Sequence, residues 1–310
     1  MNPQPQRPAA FRRQRLLVVG CGDVGLRVLR ELQGRWRVRV LTSQPERVAT
    51  LRAAGVVPLL GNLDQPATLG RLGALAPRVL HLAPPPVQGD DDPRTTALLR
   101  ALARGGVVQR IVYGSTSGVY GDAGGARFDE TRAVAPSTAR ARRRVNAEQQ
   151  LRAFGRRHAV AVSLLRIPGI YALDREGGSP LERLARGAPL LAHEDDVYTN
   201  HIHADDLARA CLLALLRGRP QRALHVSDDG ELKMGEYFDL AADLAGLPRA
   251  PRVGRAEALK LLSPMQASFM SESRRLDNRR LKQELKLRLR YPTPLQGLAA
   301  LRSSTAIARR

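Results

Sequence analysis

"RLLVVGCGDVGLRVLREL", residues 15–32, is the stretch whose reading decides the fold. "RLLVV" (15–19) has the short apolar run of a strand, and "VGLRVLREL" (24–32) places Val24, Val28 and Leu32 on one helical face. The intervening "GCGDVG" (20–25) is a G-x-G-x-x-G, a spacing that chance alone often produces. Directly after a strand and at the mouth of a helix it gains a mechanism. Gly20 permits the tight turn, Gly22 lets the backbone approach a pyrophosphate, and Gly25 lets helix and strand come close. Asp23 and Val24 complete the loop, where the helix N-terminus offers N–H groups and partial positive charge to phosphate.

The same alternation continues outward. "WRVRVL" (36–41), "VVPLL" (56–60), "RVLHLA" (78–83), "RIVYGS" (110–115) and "VAVSLL" (160–165) read as strands. "PERVATLRAAG" (45–55) reads as a helix opened by Pro45 and closed by Gly55, with further helices at 65–75 and 93–104. This order predicts an α/β fold, a doubly wound parallel sheet with helices on both faces. The dinucleotide-binding Rossmann domain then covers 14–170, after a flexible tail at 1–13. Beyond 170 the pattern becomes less regular, with helices at 205–217, 234–245, 255–262 and 277–285 and a strand "ALHV" at 223–226. Residues 171–310 are expected to form a smaller, mostly helical lobe over the cleft.

The composition supplies a core, because 43% of the 310 residues are apolar. The net charge of +21 invites a nucleic-acid or acidic-membrane partner. Two facts weigh against nucleic acid. Lysine occurs only at 233, 260, 282 and 286, so the charge is scattered arginine, and aromatics, at 4%, give little material for base stacking. Cys21 and Cys211 imply no disulfide framework. The opening "MNPQPQRPAAFRRQR" has no apolar signal core, and a cytoplasmic protein without a membrane anchor is expected.

The end of the second strand bears on the cofactor. An NAD-type site usually has a carboxylate there for the ribose hydroxyls. This chain has Thr42 and Ser43, with Arg47 close behind, so nothing repels a 2′-phosphate and a guanidinium can pair with one. NADP is therefore expected, with NAD as the alternative.

Five later segments, "GNLDQPATL" (61–69), "VLHLAPPP" (79–86), "VYGSTSGVYG" (112–121), "RIPGIYA" (166–172) and "NHIHADDLARA" (200–210), follow the glycine loop in order. Together they resemble the extended short-chain dehydrogenase/reductases, the NAD(P)-dependent epimerase/dehydratase family, and most closely its atypical, YeeZ-like members. The resemblance implies an NAD(P)-binding Rossmann fold whose late segments return to the sheet. By position it implies that Asn62, with Leu63 beside it, meets the adenine, and that Leu82 and Ala83 line the cleft by the ribose. Thr116 falls where the family places a catalytic Ser or Thr, and Pro168 and Gly169 where its loop passes the nicotinamide. His201 and His203 suggest a metal, but spacing supplies no third ligand. Asp205 and Asp206 suit a helix start by capping and by charge.

The family's Tyr-x-x-x-Lys precedes a Glu by four residues, and Glu148 sets that register here. Counting back gives Arg144 for the lysine and Arg140 for the tyrosine, and none of the six tyrosines has a lysine four residues later. At 100° per residue, 140, 144, 147, 151 and 154 form one stripe, which Ala147, Leu151 and Phe154 make apolar. Arg140 and Arg144 therefore belong to the inward side, and Arg142 and Arg143 suit a solvated face. Arginine stays charged and cannot act as the acid or base. It can still serve as a fixed cation toward ribose or phosphate, so Arg140 and Arg144 join Thr116 as candidate active-site residues. The proton would then come from Tyr120, Tyr171 or water. The expected activity is oxidoreductase or epimerase-like, on a hydroxyl- or carbonyl-bearing small molecule, with a homodimer as an option. The alternatives are a non-catalytic NAD(P)-binding sensor and, last, an RNA-binding derivative.

Overall fold

The computed structural model describes residues 13–70, 72–261, 268 and 270–301. The first half runs β1 (Arg15–Val19), α1 (Asp23–Leu32), β2 (Arg37–Thr42), α2 (Arg47–Ala53) and β3 (Val57–Leu60). It continues through β4 (Arg78–His81), α3 (Pro93–Ala103), β5 (Arg110–Thr116), β6 (Arg127–Phe128), α4 (Ala139–Arg157) and β7 (Ala161–Ile167). Then come β8 (Gly169–Tyr171), α5 (Pro180–Ala185), β9 (Leu190–Leu191), β10 (His201–His203), α6 (Ala204–Arg217) and β11 (Arg222–His225). The chain goes on through α7 (Met234–Ala245), β12 (Arg252–Val253), α8 (Arg255–Leu261) and β13 (Arg275–Leu276) to a helix at Arg279–Leu285.

Seven strands form one sheet in the order β11-β7-β5-β4-β1-β2-β3, and every neighbouring pair is parallel. The near-continuous apolar runs of β1, β5 and β7 follow from this, since a parallel sheet is covered on both faces. Leu16 and Val18 enter one core with Val28, Leu207, Cys211 and Leu281, while Leu17 and Val19 enter the other with Leu98, Leu102 and Leu151. The strand order reverses between β1 and β4, which opens a crevice at the carboxyl ends of the strands. β11, far along the chain, returns to the sheet edge beside β7.

Two features differ from the sequence expectation. The helix expected at 65–75 is two 3₁₀ turns, Pro66–Leu69 and Leu72–Ala74. Gly70 at φ +47° breaks it, and Gly73 lies so close to the Leu102 carbonyl and Gly105 that a side chain would not fit. Three parallel two-stranded pairs, β8–β10, β9–β12 and β6–β13, organise the later segments without a helical or strand periodicity long enough to read. Among the described residues no helix is long and apolar enough to cross a membrane.

Candidate active site

Gly20 adopts φ +83°, and a Cβ there would run into the Ala83 backbone. The turn therefore needs glycine twice over, for its dihedral and for its closeness to the chain after β4. Gly22 has nothing within 4 Å of its missing side chain, so the loop is open on the side where a ligand would approach. It is the N-cap of α1 and supplies no side-chain cap. The helix's first N–H groups are thus left to another acceptor. A Cβ added at Gly25 would come within 3.0 Å of Cys21 Sγ, where helix and loop close on each other.

Three hollows run along the carboxyl ends of the strands. Thr42, Ser43, Arg47, Asn62, Leu63 and Ala83 line the first, of about 450 Å³. Gly20, Gly22 and Leu82 lead from it into a second, of about 310 Å³, that adds Asp23, Val24, Gly25, Thr116, Arg144 and Pro168. Thr116, Pro168 and Arg175 lead on into a third, of about 510 Å³, where Arg140 lies. The site residues read from the sequence thus all line one continuous trough. Two of them are held differently from expectation. Arg47 donates from Nη2 to the Cys21 carbonyl at 2.6 Å, folding its guanidinium onto the glycine loop. Asn62 Oδ1 accepts from the Asp64 N–H at 2.9 Å, which turns the amide oxygen to its own loop. Across the same hollow Arg94 grips Asp64 with two hydrogen bonds, 2.7 and 2.6 Å, and these hold the Asp64 carboxyl below the usual range.

Helix α4 begins where the Thr138 hydroxyl accepts from the Ala141 N–H at 3.1 Å. Ala147, Leu151 and Phe154 are buried, as the inward stripe requires. Arg144 donates from Nη1 to the Gly114 carbonyl at 2.7 Å and to the Tyr113 hydroxyl at 3.0 Å. Arg140, one turn earlier, lies on the wall of the third hollow. Arg142 is exposed and pairs with Asp90 at 2.9 Å. Arg143 corrects the expected solvated face: it is buried and donates to the Gly89 carbonyl. The segment around Gly89 folds over this flank of α4, with Asp91 accepting from Asn146 at 2.8 Å, and nothing in helical spacing reveals that cover.

Behind Thr116 lies a buried polar chain. Glu148 accepts from Ser115 Oγ at 2.6 Å and from Arg166 at 3.2 and 2.7 Å. Arg166 donates to the Tyr120 hydroxyl at 2.6 Å, which meets His225 Nε2 at 2.6 Å. Tyr120 is fully buried, and desolvation pushes its phenol up to about 12. Tyr171 is buried too, and its hydroxyl donates to the Thr293 carbonyl at 3.4 Å. Neither tyrosine lines the hollows that meet at Thr116, so both fall as proton donors.

Sequence reasoning missed the residues that tie the later lobe to the glycine loop. Arg27, 3% exposed, pairs with Asp23 at 3.1 Å, Asp174 at 2.6 Å and Asp205 at 2.5 Å. A basic residue on the inner face of α1 is the one signal that could have found it. Tyr237 and Glu272 also line the third hollow and carried no motif, and His201 of the "NHIHADDLARA" segment joins them there. His203 Nδ1 accepts from the Asp205 N–H at 3.2 Å, capping α6. Among the described residues no group of three or more His, Cys, Asp or Glu side chains is placed to hold a metal ion. The open Gly22, the uncapped helix start and the elongated trough fit a dinucleotide.

Known proteins agree with this geometry. The sequence model of the "NAD dependent epimerase/dehydratase family" matches residues 16–227. A functionally unknown conserved protein from Silicibacter pomeroyi is 32% identical, with 94% of this chain and 99% of that one covered and a TM-score of 0.79. UDP-glucose 4-epimerase from Thermotoga maritima, solved with UDP-glucose, shares 19% identity over 96% of this chain and 100% of its own, with a TM-score of 0.77. dTDP-glucose 4,6-dehydratase from Bacillus anthracis, in complex with NAD, shares 16% over 94% and 96%, with a TM-score of 0.76. The last two identities speak for the fold alone. No protein among curated sequences matches the chain. With its glycine loop, its seven-stranded parallel sheet and a sequence match over two thirds of its length, the chain belongs to the NAD dependent epimerase/dehydratase family.

Proposed function

We propose that the protein is an NADP(H)-dependent oxidoreductase or epimerase-like enzyme of the cytoplasm, acting on a hydroxyl- or carbonyl-bearing small molecule. The observation that carries this reading is the continuous trough, which runs from Thr42, Ser43 and Arg47 past the glycine loop to Thr116. In this reading the 2′-phosphate end lies against Arg47, the pyrophosphate against Gly22 to Val24, and the nicotinamide end against Pro168. A bound nicotinamide supplies or accepts hydride at its ring. The protein's residues do the rest. Arg144 donates to ribose or phosphate, the Thr116 hydroxyl holds the substrate oxygen, and Arg140 bounds the substrate-side hollow. Asn200, Tyr237 and Arg274 of the later segments wall that hollow, and Arg27 ties Asp174 and Asp205 to Asp23 of the glycine loop.

The second reading is a non-catalytic NAD(P)-binding sensor. It is favoured by one observation, that arginines stand at 140 and 144 while Tyr120 and Tyr171 are buried. Calorimetric titration with NADPH, followed by a screen of hydroxyl- and carbonyl-bearing metabolites for absorbance change of the nicotinamide, tests both. Turnover of one compound supports the enzyme, tight binding with none supports the sensor, and no binding removes both.

A further inference from the structure

The histidine rings differ in how they are held. His81 Nε2 meets Thr95 Oγ1 at 3.0 Å, His203 Nδ1 caps α6, and His225 bonds both Tyr120 and the Asp277 carbonyl. His201 has no such engagement. Its ring stacks on Tyr237, with centroids 4.0 Å apart and planes 20° from parallel, and its edge lines the third hollow. The ring is half-buried at the wall of that hollow, and among the described residues no side-chain hydrogen bond holds it.

Register places it at the reacting end of the trough. Thr116 pairs with Ile167 across the β5–β7 ladder, and His201 pairs with Gly169 across the β8–β10 ladder. The segment 167–169 is thus flanked by Thr116 on one side and His201 on the other, with Pro168 between them.

We propose that His201 is a second group that touches substrate, a neutral imidazole that hydrogen-bonds the reacting oxygen from the side opposite Thr116. This rests on the reading above, that the third hollow takes a hydroxyl- or carbonyl-bearing molecule beside a nicotinamide. Desolvation lowers the imidazole to about 3, so it is uncharged at neutral pH, with one nitrogen donating and the other accepting. Arg140, Arg175, Arg183 and Arg274 line the same hollow and oppose a further positive charge, while Glu272, the acid there, is engaged by Arg274 at 2.6 Å. So low a value suits a fixed hydrogen-bond donor, which polarises a carbonyl without changing its own protonation, and it does not suit a general base. Stacking on Tyr237 fixes the ring plane, so the donor is aimed before substrate arrives.

The test uses the full chain labelled with ¹⁵N-histidine, NADP⁺, and phenanthrenequinone as the carbonyl probe. Loss of a signal in His201→Gln identifies the His201 ring. The expected result is a neutral ring at pH 7 whose nitrogen signals shift when the quinone is added to the NADP⁺ complex. With NADPH, quinone reduction should fall about 100-fold in His201→Phe, the scale seen on removing one preorganised donor, and less in His201→Gln. NADPH affinity should change less than about two-fold in both variants. A His201 signal unmoved by saturating quinone overturns the proposal, as does wild-type reduction by His201→Phe. If the wild type does not reduce the quinone, or the Phe variant does not fold, the signal shift in the wild-type protein decides alone. Tyr198→Phe, at another aromatic wall of the hollow, is the control, and an equal loss there without a His201 shift also overturns the role. Failure of NADPH to bind the wild type would instead remove the dinucleotide reading itself.

Discussion

Arg144 Nη1 lies 2.7 Å from the Gly114 carbonyl, so a cation from the second turn of α4 is pinned to the strand that ends in Thr116. The bond holds the guanidinium at the wall of the hollow that the glycine loop also lines. Arg144→Ala should weaken NADPH binding by about 1.5–3 kcal/mol, the range for a lost charge-assisted hydrogen bond. Arg142→Ala, on the exposed face, should leave it nearly unchanged. Calorimetry on both variants checks this, and equal losses would mean that the face assignment of α4 has no bearing on the cofactor.

Arg47 sits with Thr42 and Ser43 in the first hollow, where the carboxylate of Asp64 is already held by Arg94. NADPH should bind more tightly than NADH, and Arg47→Ala should erase most of the difference by weakening NADPH far more than NADH. Because Arg47 also donates to the Cys21 carbonyl, some loss of NADH affinity will accompany the change. Equal affinities in the wild type would sink the preference.

The glycine loop, the alternation of strands and helices and the inward stripe of α4 were legible because each is a local pattern with a fixed period. The glycine loop, Thr42, Ser43, Thr116 and Arg144 line the trough for the same reason: strand ends and helix starts are read directly from such patterns. What was not legible depends on chain paths between elements. Arg143 looked solvent-facing until the Gly89 carbonyl covered it. Tyr120 looked available until Arg166 and His225 closed on its hydroxyl from positions 46 and 105 residues away. His201 suggests a metal ligand in sequence, and only its register with Gly169 places it beside the Pro168–Gly169 segment.

The scattered arginines lead to an expectation about nucleic acid. Many are engaged in pairs within the fold, such as Arg222 with Glu284 at 2.5 Å and Arg252 with Asp239 at 2.5 Å. Any RNA or DNA binding should therefore be weak, blind to sequence and lost on raising salt, as phosphate-only contacts are. A filter-binding assay that finds a preferred sequence bound tightly at physiological salt would contradict this.

His81 and His225 set a pH dependence of stability. Both are buried, and desolvation lowers their imidazoles to about 3 and about 4. Above the unfolded value of about 6.5 both states hold these rings neutral and no dependence arises. Below it the unfolded chain takes up protons that the native chain refuses, so stability falls as pH falls, by up to about 1.4 kcal/mol per pH unit per excluded proton. Urea denaturation should give a plateau from about pH 7 to 8 and a decline between about pH 6.5 and 5, above the range where carboxylates titrate. A curve flat down to about pH 5 would mean that these rings protonate without cost in the native protein.

The Glu148–Arg166 pair is the strongest test of what holds the Thr116 strand in place. Both side chains are buried, joined by hydrogen bonds of 3.2 and 2.7 Å, and each has a further partner, Ser115 for the acid and Tyr120 for the base. Glu148→Gln keeps the shape and removes the charge, which leaves the Arg166 guanidinium buried without its counterion. The expected loss is about 3–5 kcal/mol of unfolding free energy, the range for breaking one side of a buried pair. Ser115→Ala removes a hydroxyl donor from the same carboxylate and should cost about 1 kcal/mol. Replacing both charged partners, Glu148→Gln with Arg166→Met, should cost less than the sum of the two single changes, because no uncompensated charge remains. A double variant as unstable as the sum would show that the two residues act independently, and that the chain from Ser115 to His225 is a set of separate contacts.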